Sequence, residues 1–226
     1  MLAVLKREFK SYFLSPVGYV VMGIFLLVFS VFFYLTVFQY GSIDLGGLYY
    51  NTAVFGLIII VPILTMRMFS EERKNGTEQL LLTSPTSMWK IVLGKLFAAL
   101  GVILITLVIS LMYLIIISFF GKANIASTLV AILGFILISI AAISFGMFAS
   151  AITENQIIAG IITIAFLLLP LFLIDISTVF SSFLLSNYYR LFAQGVISIE
   201  DTISLATFGL AFILLTMIIM QRRKVK

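Results

Sequence analysis

Long apolar runs alternate with short polar connections along this chain, and the apolar runs contain no charged residue. A helix of about 20 residues is long enough to cross the ~30 Å hydrocarbon core of a bilayer, and each run can hold one. The pattern predicts spanning helices near residues 17–39, 48–66, 90–119, 126–152, 156–174 and 202–221. We therefore expect an all-α membrane protein with six transmembrane helices in a single domain, residues 1–226.

An amphipathic segment, residues 1–16, precedes the first predicted span. Its apolar side chains recur at helical spacing on one side, and its polar side chains lie on the other. The apolar set is Leu2, Leu5, Phe9, Tyr12 and Phe13, and the polar set is Lys6, Arg7, Lys10 and Ser11. Pro16 then permits a turn into the first span. We expect an interfacial helix on the inner leaflet, acting either as a simple positive anchor or in a further role.

The connection between the fifth and sixth spans, residues 175–201, is too apolar for a free loop. Its pattern predicts two short amphipathic helices that separate near Asn187, end at Gly195 and dip into the outer leaflet as a re-entrant segment. Irregular backbone at that depth is tolerated only where protein or a water-lined cavity satisfies it. Two interpretations stay open: an external lid over a pathway, with Phe183 and Tyr188 in it, and a passive interfacial belt.

The cores of the predicted spans contain no ionisable residue; their polar residues are uncharged. Ion-coupled carriers and proton channels usually need an ionisable group at mid-depth, so its absence counts against both. Hydroxyl side chains are expected to bond to backbone carbonyls or to neighbouring helices; they are Thr65, Thr106, Ser110, Ser139, Ser144 and Thr163. Ala142, Gly146 and Ser150 place a small residue at every fourth position, which favours close helix packing. Pro62 and Pro170 should kink or end their spans, with a moving gate as the less favoured alternative to packing.

Composition agrees with a membrane protein, because 62% of the residues are hydrophobic and only 10% are charged. Soluble domains carry roughly 25% charged residues. The net charge of +5 comes from basic residues at the ends of spans, where anionic lipid explains them better than nucleic acid. The chain has no Cys and no His, which excludes disulfides, thiol chemistry and the usual zinc ligands.

The basic residues also predict the orientation. With a cytoplasmic N-terminus, twelve of the 14 Lys and Arg residues lie on the cytoplasmic side, and only Lys122 and Arg190 lie outside. Connections rich in Lys and Arg stay in the cytoplasm. Both termini are therefore expected there.

Charge is concentrated in the polar segment, residues 67–85, between the second and third spans. Glu71 and Glu72 could ligate Mg²⁺ or Ca²⁺, but the adjacent Arg73 and Lys74 make a solvated, self-neutralising turn the simpler interpretation. Just beyond it, Gly94-Lys95 superficially resembles a phosphate loop. That motif needs a glycine where Trp89 stands and a hydroxyl residue where Leu96 stands, so no nucleotide site is expected. Lys90 and Lys95 are expected at the cytoplasmic surface.

The second half of the polar segment has the pattern of a short helix. Thr77 can cap its N-terminus, Glu78 lies in its first turn, and Pro85 stops it. Its apolar side is formed by Leu80, Leu81 and Leu82. A short, stiff helix between two spans is a good binding element for a partner.

Three stretches resemble the membrane subunits of type 2 ABC exporters, most closely the permeases associated with gliding motility and with maturation of nitrous oxide reductase. Residues 5–19 are similar to that family's opening, "kkElrsyFlsPigY". Residues 69–85, FSEERKNGTEQLLLTSP, resemble "SEErrrGTlElLLtsPv", and Gly94-Lys95 matches the "GK" that follows. Residues 189–201 resemble "hfesfsrGvidsrDl".

The resemblance implies a six-span permease that dimerises with an identical or different second permease subunit. It implies alternating access at the dimer interface, driven by a separate ABC ATPase that binds ATP and Mg. The chain itself would bind no cofactor, have no enzymatic activity and lie with its lipids in a bacterial or archaeal plasma membrane, with no nucleic-acid partner.

The resemblance also assigns roles to individual segments. Residues 1–16 become an elbow helix, and residues 67–89 become the loop that couples to the ATPase. The coupling residues are Glu71, Glu72, Arg73, Gly76, Thr77, Glu78, Leu80, Leu81, Pro85 and Glu154. The candidate path or gate residues are Pro62, Pro170, Phe183 and Tyr188. The alternative is a membrane anchor or scaffold that transports nothing, which would show no substrate-dependent ATP hydrolysis.

Overall fold

Helices make up nearly all of the chain that the computed structural model describes, which comprises residues 1–39, 41, 44–79, 86–119, 124–173 and 184–225. No strand occurs in those ranges. The helices are α1 Leu2–Leu14, α2 Val17–Phe33, α3 Leu45–Asn51, α4 Leu57–Thr65, α5 Ser70–Lys74, α6 Met88–Ser118, α7 Ile125–Ile152, α8 Gln156–Leu173, α9 Leu185–Ala193 and α10 Ile199–Val225. The prediction of an all-α protein is confirmed.

Five helical stretches are long and apolar enough to cross a membrane. They are Val17–Gln39, Leu45–Lys74, Met88–Phe119, Ile125–Ile152 and Ile199–Arg223. The remaining predicted span, residues 156–174, forms a shorter apolar helix, Gln156–Phe172. The count of six spans therefore stays a prediction.

Helix α7 lies at the centre of the bundle and contacts α3, α4, α6, α8, α9 and α10. The predicted stripe of small residues permits this position. A Cβ added at Gly146 would overlap the Thr65 hydroxyl of α4, and Ala142 is fully buried. The predicted close packing along the stripe is confirmed.

The hydroxyl side chains of the spans donate hydrogen bonds to carbonyls three or four residues earlier in their own helices, as expected. Examples are Thr65 to the Val61 carbonyl at 2.9 Å and Ser139 to the Phe135 carbonyl at 2.7 Å. These hydroxyl groups are buried, so each donor is satisfied inside the protein by a carbonyl of its own helix.

Both prolines lie inside helices, so neither ends its span, and of the two predicted outcomes a kink stays a prediction. Pro62 is within α4 and Pro170 is within α8, and each helix continues for three more residues. A π-helical turn, Thr52–Gly56, joins α3 to α4. Such a turn is wider than an α-helical turn, and it precedes the helix that contains Pro62.

In the described part of the segment before the last span, residues 184–201, helix α9 begins at Leu185, close to the predicted separation near Asn187. The first of the two predicted short helices falls mainly on residues outside the described ranges, so the separation stays a prediction. Close packing holds α9 in place. A Cβ at Gly134 of α7 would overlap Phe192, and one at Gly46 of α3 would overlap the Ala193 carbonyl. The hydroxyl of the buried Tyr189 donates to the Ala131 carbonyl at 3.0 Å.

Of the candidate path or gate residues in the connection between the fifth and sixth predicted spans, Phe183 lies outside the described residues. Tyr188 is half-buried on α9. The inner face of α9 is packed against α7 and α3.

Candidate functional site

The candidate site lies at one end of the bundle, which carries α1, the polar segment, the start of α6, the turn between α7 and α8, and the end of α10. We call this the charged end. Ser150, the last member of the small-residue stripe, anchors the polar segment there. Its hydroxyl oxygen accepts from the backbone N–H groups of Phe69 and Ser70 at 3.0 and 3.2 Å. It therefore satisfies two donors where α5 begins, since the first N–H groups of a helix have no partner within it.

Lys95 is the most deeply buried charged residue at this end. Its Nζ atom donates to the Met68 carbonyl at 2.7 Å and to Glu72 Oε1 at 2.9 Å, and it lies 3.3 Å from Glu8 Oε1. We call Glu8, Glu72 and Lys95 the anchor cluster. The expectation that Lys95 lies at the surface is wrong: 1% of the residue is exposed. The reason is that α1 and the polar segment together cover the start of α6.

Two glycines allow α1 to approach α6 closely enough to form the anchor cluster. A Cβ at Gly94 would lie 3.0 Å from Val4 Cγ1, and one at Gly101 would lie 2.9 Å from the Phe9 ring. Farther along α1, Tyr12 donates to the Leu64 carbonyl at 3.0 Å. Burial raises the pKa of the Tyr12 phenol well above its ordinary value. The predicted N-terminal helix is confirmed as α1, and it is fixed to both α4 and α6.

Arg7 closes the anchor cluster on its outer side. Its Nη2 atom lies 2.5 Å from Glu8 Oε1 and 3.1 Å from Glu72 Oε1. The hydrogen bond to Glu8 raises the pKa of the Arg7 guanidinium. Together with Arg7, the anchor cluster contains two carboxylates and two cations, and it joins α1, the polar segment and α6.

The carboxylates of α5 form ion pairs with other cations than the sequence predicts. Glu71 forms a two-point ion pair with Arg67, one turn earlier, at 2.7 and 2.8 Å. Glu72 pairs with Lys95 and Arg7. The interpretation of a turn neutralised by Arg73 and Lys74 is wrong, because helical spacing directs both carboxylates toward α1 and α6.

A second group of charges, the rear cluster, consists of Arg73, Glu78, Glu154 and Arg223. Arg73 Nη2 lies 2.5 Å from Glu154 Oε1, in the turn between α7 and α8. Arg223 Nη1 donates to Glu78 Oε1 at 3.0 Å, and its Nη2 donates to the Ala151 carbonyl at 2.5 Å. Arg73 Nε is 3.9 Å from Glu78 Oε2. The rear cluster therefore connects the polar segment to the end of α7 and to the end of α10.

Between the two clusters an exposed turn, residues 74–77, projects from the charged end. Gly76 has φ +71°, a left-handed conformation that favours glycine and makes the turn compact. The Thr77 hydroxyl donates to the Glu72 carbonyl at 3.2 Å. Of the helix predicted after Thr77, residues 80–85 lie outside the described residues, and Leu80, Leu81 and Pro85 fall there.

A polar cleft of about 510 Å³ separates α1 from the polar segment. Its walls carry charges of both signs, including Arg7, Arg67 and Glu71. Within the described ranges, no group of His, Cys, Asp or Glu residues could hold a metal ion.

Several long apolar helices that meet at a charged, cross-linked end define the class of multi-pass membrane proteins. The sequence model of one family, described as ABC-2 type transporter, matches residues 1–177. This match covers most of the chain, which therefore belongs to the ABC-2 type transporter family as a permease. No protein of curated function matches the chain significantly.

Family membership carries consequences for partners and chemistry. The ABC-2 membrane domain is the permease part of transporters and not a catalytic domain. Such permeases generally work with an ABC ATPase and often dimerise. The closer resemblance to gliding-motility and nitrous-oxide-reductase permeases stays a prediction.

Sequence reasoning missed Glu8 and Arg223 as members of the site, and it placed Lys95 at the surface. One signal for Lys95 was available. Gly94 and Gly101 lie two helical turns apart on one face of α6, a spacing of small residues that permits close approach of another helix. No comparable signal marks Arg223, which is one of several basic residues at the end of the last span.

Proposed function

We propose that this chain is the permease subunit of an ATP-driven ABC exporter. The charged end faces the cytoplasm with both termini, α8 crosses the membrane as the sixth span, and two permease subunits enclose the pathway. A separate ABC ATPase binds the exposed turn and the segment that follows it to Pro85. ATP and Mg bind to that ATPase, and cargo moves by alternating access.

One observation carries this proposal: the polar segment uses its charges internally and leaves a turn exposed. Glu71, Glu72, Arg73 and Glu78 all have intramolecular ion partners. These side chains therefore serve less to grip a partner directly than to fix the exposed turn to α1, α6, α7 and α10. A force on a turn fixed in this way reaches several spans at once.

Binding of the ATPase is tested by changes that leave the ion pairs intact. Lys74→Glu reverses an exposed charge on the turn, and Leu81→Pro breaks the helix predicted after it. Both are expected to lower co-purification of the ATPase at least tenfold. Arg190→Glu, an exposed charge reversal at the opposite end, is the matched control and should change nothing. Unaltered co-purification in both test variants would refute the assignment of this surface.

Reversal of Glu71 and Glu72 is a poorer test, because it would also disrupt the pairs with Arg67 and Lys95. A second measurement on the same complex distinguishes a transporting permease from a non-transporting scaffold. A permease should change the rate of ATP hydrolysis when the ATPase is bound to it in vesicles. An ATPase that binds, yet hydrolyses ATP at the rate of the free subunit, would favour the scaffold.

The orientation has its own test, since the chain contains no cysteine. Asn75 and Arg190 are exposed and lie at opposite ends of the bundle. Each can be replaced by a single cysteine. A membrane-impermeant maleimide added to intact cells should label Arg190→Cys and spare Asn75→Cys until the membrane is opened. The reverse labelling would overturn the proposed orientation.

A further inference from the structure

The two ion clusters that hold the polar segment differ in burial. In the anchor cluster, 2% of the Lys95 side chain and 14% and 17% of the Glu8 and Glu72 side chains are exposed. In the rear cluster, 30% of the Arg73 side chain and 62% of the Glu154 side chain are exposed. The Arg223 side chain is 22% exposed, against 2% for Lys95, and the Glu78 side chain is 13% exposed. Exposed pairs are weak and screened by salt, whereas a buried charge is costly to leave without its partner.

The clusters also join the polar segment to different parts of the bundle. The anchor cluster connects its first half to α1 and α6 through Glu8 and Lys95. The rear cluster connects its second half to the end of α7 through the Ala151 carbonyl, and to the end of α10 through Arg223. The exposed turn, residues 74–77, lies between the two attachments.

We propose that Arg223, at the end of the last span, is a positioning residue for the polar segment. Through Glu78 it holds the second half of that segment against α7 and α10, and this attachment releases when the exposed turn is displaced. The anchor cluster stays closed during that movement. The release of the rear cluster as a step in transport rests on the proposed function. The attachment of the polar segment by Arg223 does not depend on it.

The attachment can be measured in the purified chain without an ATPase. The absence of native cysteines allows pairs of spin labels to be introduced at exposed sites. The pair Asn75→Cys and Arg222→Cys reports the distance from the turn to the last span. The pair Asn75→Cys and Lys90→Cys reports the distance from the turn to α6. Both are measured by pulsed electron paramagnetic resonance in lipid nanodiscs, diluted with unlabelled chain.

Arg223→Gln should at least double the width of the distance distribution between positions 75 and 222. The distribution between positions 75 and 90 should keep its width, because the anchor cluster is intact. Lys10→Gln, which removes an exposed charge from α1, is the matched control and should alter neither distribution. Raising the salt concentration from about 0.05 M to 0.5 M should broaden the 75–222 distribution less than Arg223→Gln does, since partly buried pairs are screened less than exposed ones.

Retention of the charge separates an ion pair from a merely structural role. Arg223→Lys keeps a positive donor near Glu78 and the Ala151 carbonyl, so it should keep the narrow distribution that Arg223→Gln loses. An unchanged 75–222 distribution in Arg223→Gln would overturn the inference. So would equal broadening of both distributions, or broadening in Arg223→Lys as large as in Arg223→Gln.

The role in transport is tested with the ATPase bound. A non-hydrolysable ATP analogue should broaden or lengthen the 75–222 distance and leave the 75–90 distance unchanged. The opposite pattern would overturn release of the rear cluster. If no ATPase binds the chain at all, the proposed function fails, while the measurements on the chain alone still decide whether Arg223 positions the polar segment.

Discussion

Replacement of Lys95 by methionine should destabilise the protein by about 3–5 kcal/mol, the usual cost of removing one partner from a buried ion pair. Methionine keeps the packing against Phe69, whose ring centroid lies 5.2 Å from the Lys95 Nζ atom. The change therefore removes the charge and its donors while keeping most of the side-chain volume.

The magnitude follows from the contacts that are lost. At an effective dielectric constant of about 20, an ion pair at the 2.9 Å separation of Lys95 and Glu72 has a Coulomb energy of about 6 kcal/mol before desolvation is subtracted. The Met68 carbonyl also loses its donor at 2.7 Å. Glu72 Oε2 is already buried without a hydrogen-bond partner in the described residues, so Glu72 would depend on Arg7 alone.

Unfolding by sodium dodecyl sulfate from mild detergent micelles can be followed with the chain's one tryptophan, Trp89, on the same helix as Lys95. Lys90→Met is the matched control, because Lys90 is exposed and should change stability by less than about 0.5 kcal/mol. Adding Glu72→Gln to Lys95→Met should recover part of the loss, since one buried carboxylate then needs no counter-charge. A loss below about 1 kcal/mol for Lys95→Met would refute the reasoning.

Two further changes test the packing of α7. Gly146→Ala should destabilise the protein by about 1–3 kcal/mol, because the new methyl group would overlap the Thr65 hydroxyl. The control is Gly23→Ala, since a Cβ at Gly23 lies in open space. This control should cause no loss of stability in the same unfolding assay. Tyr189→Phe should cost about 1 kcal/mol by removing the hydrogen bond to the Ala131 carbonyl, and retention of full stability would show that this bond contributes nothing.

The positions of the spans could be predicted from the sequence because the bilayer imposes a length and a polarity on each of them. The predicted helix 126–152 differs by one residue at one end from α7, Ile125–Ile152. The role of the small-residue stripe was also predictable, since Gly146 and Ser150 recur at the spacing of one helix face.

The wrong predictions concern charged side chains whose partners are distant in the sequence. Lys95, near the end of a span, has the same local pattern as the exposed Lys90. The environments of the two lysines differ because α1 and the polar segment both cover Lys95, through Glu8 and through Glu72, which is 23 positions away.

The anchor cluster also imposes an order on synthesis and membrane insertion. Arg7 and Glu72 are 65 positions apart, and Lys95 follows Glu72 after another 23. At about 5–20 residues per second, translation takes roughly 1–5 s to advance from Glu72 to Lys95. During that interval Lys95 has not been synthesised, so Glu8 and Glu72 lack its positive charge. Helix α1 therefore reaches its final position only after the start of the third span has emerged. The N-terminal helix is thus made first and docked late.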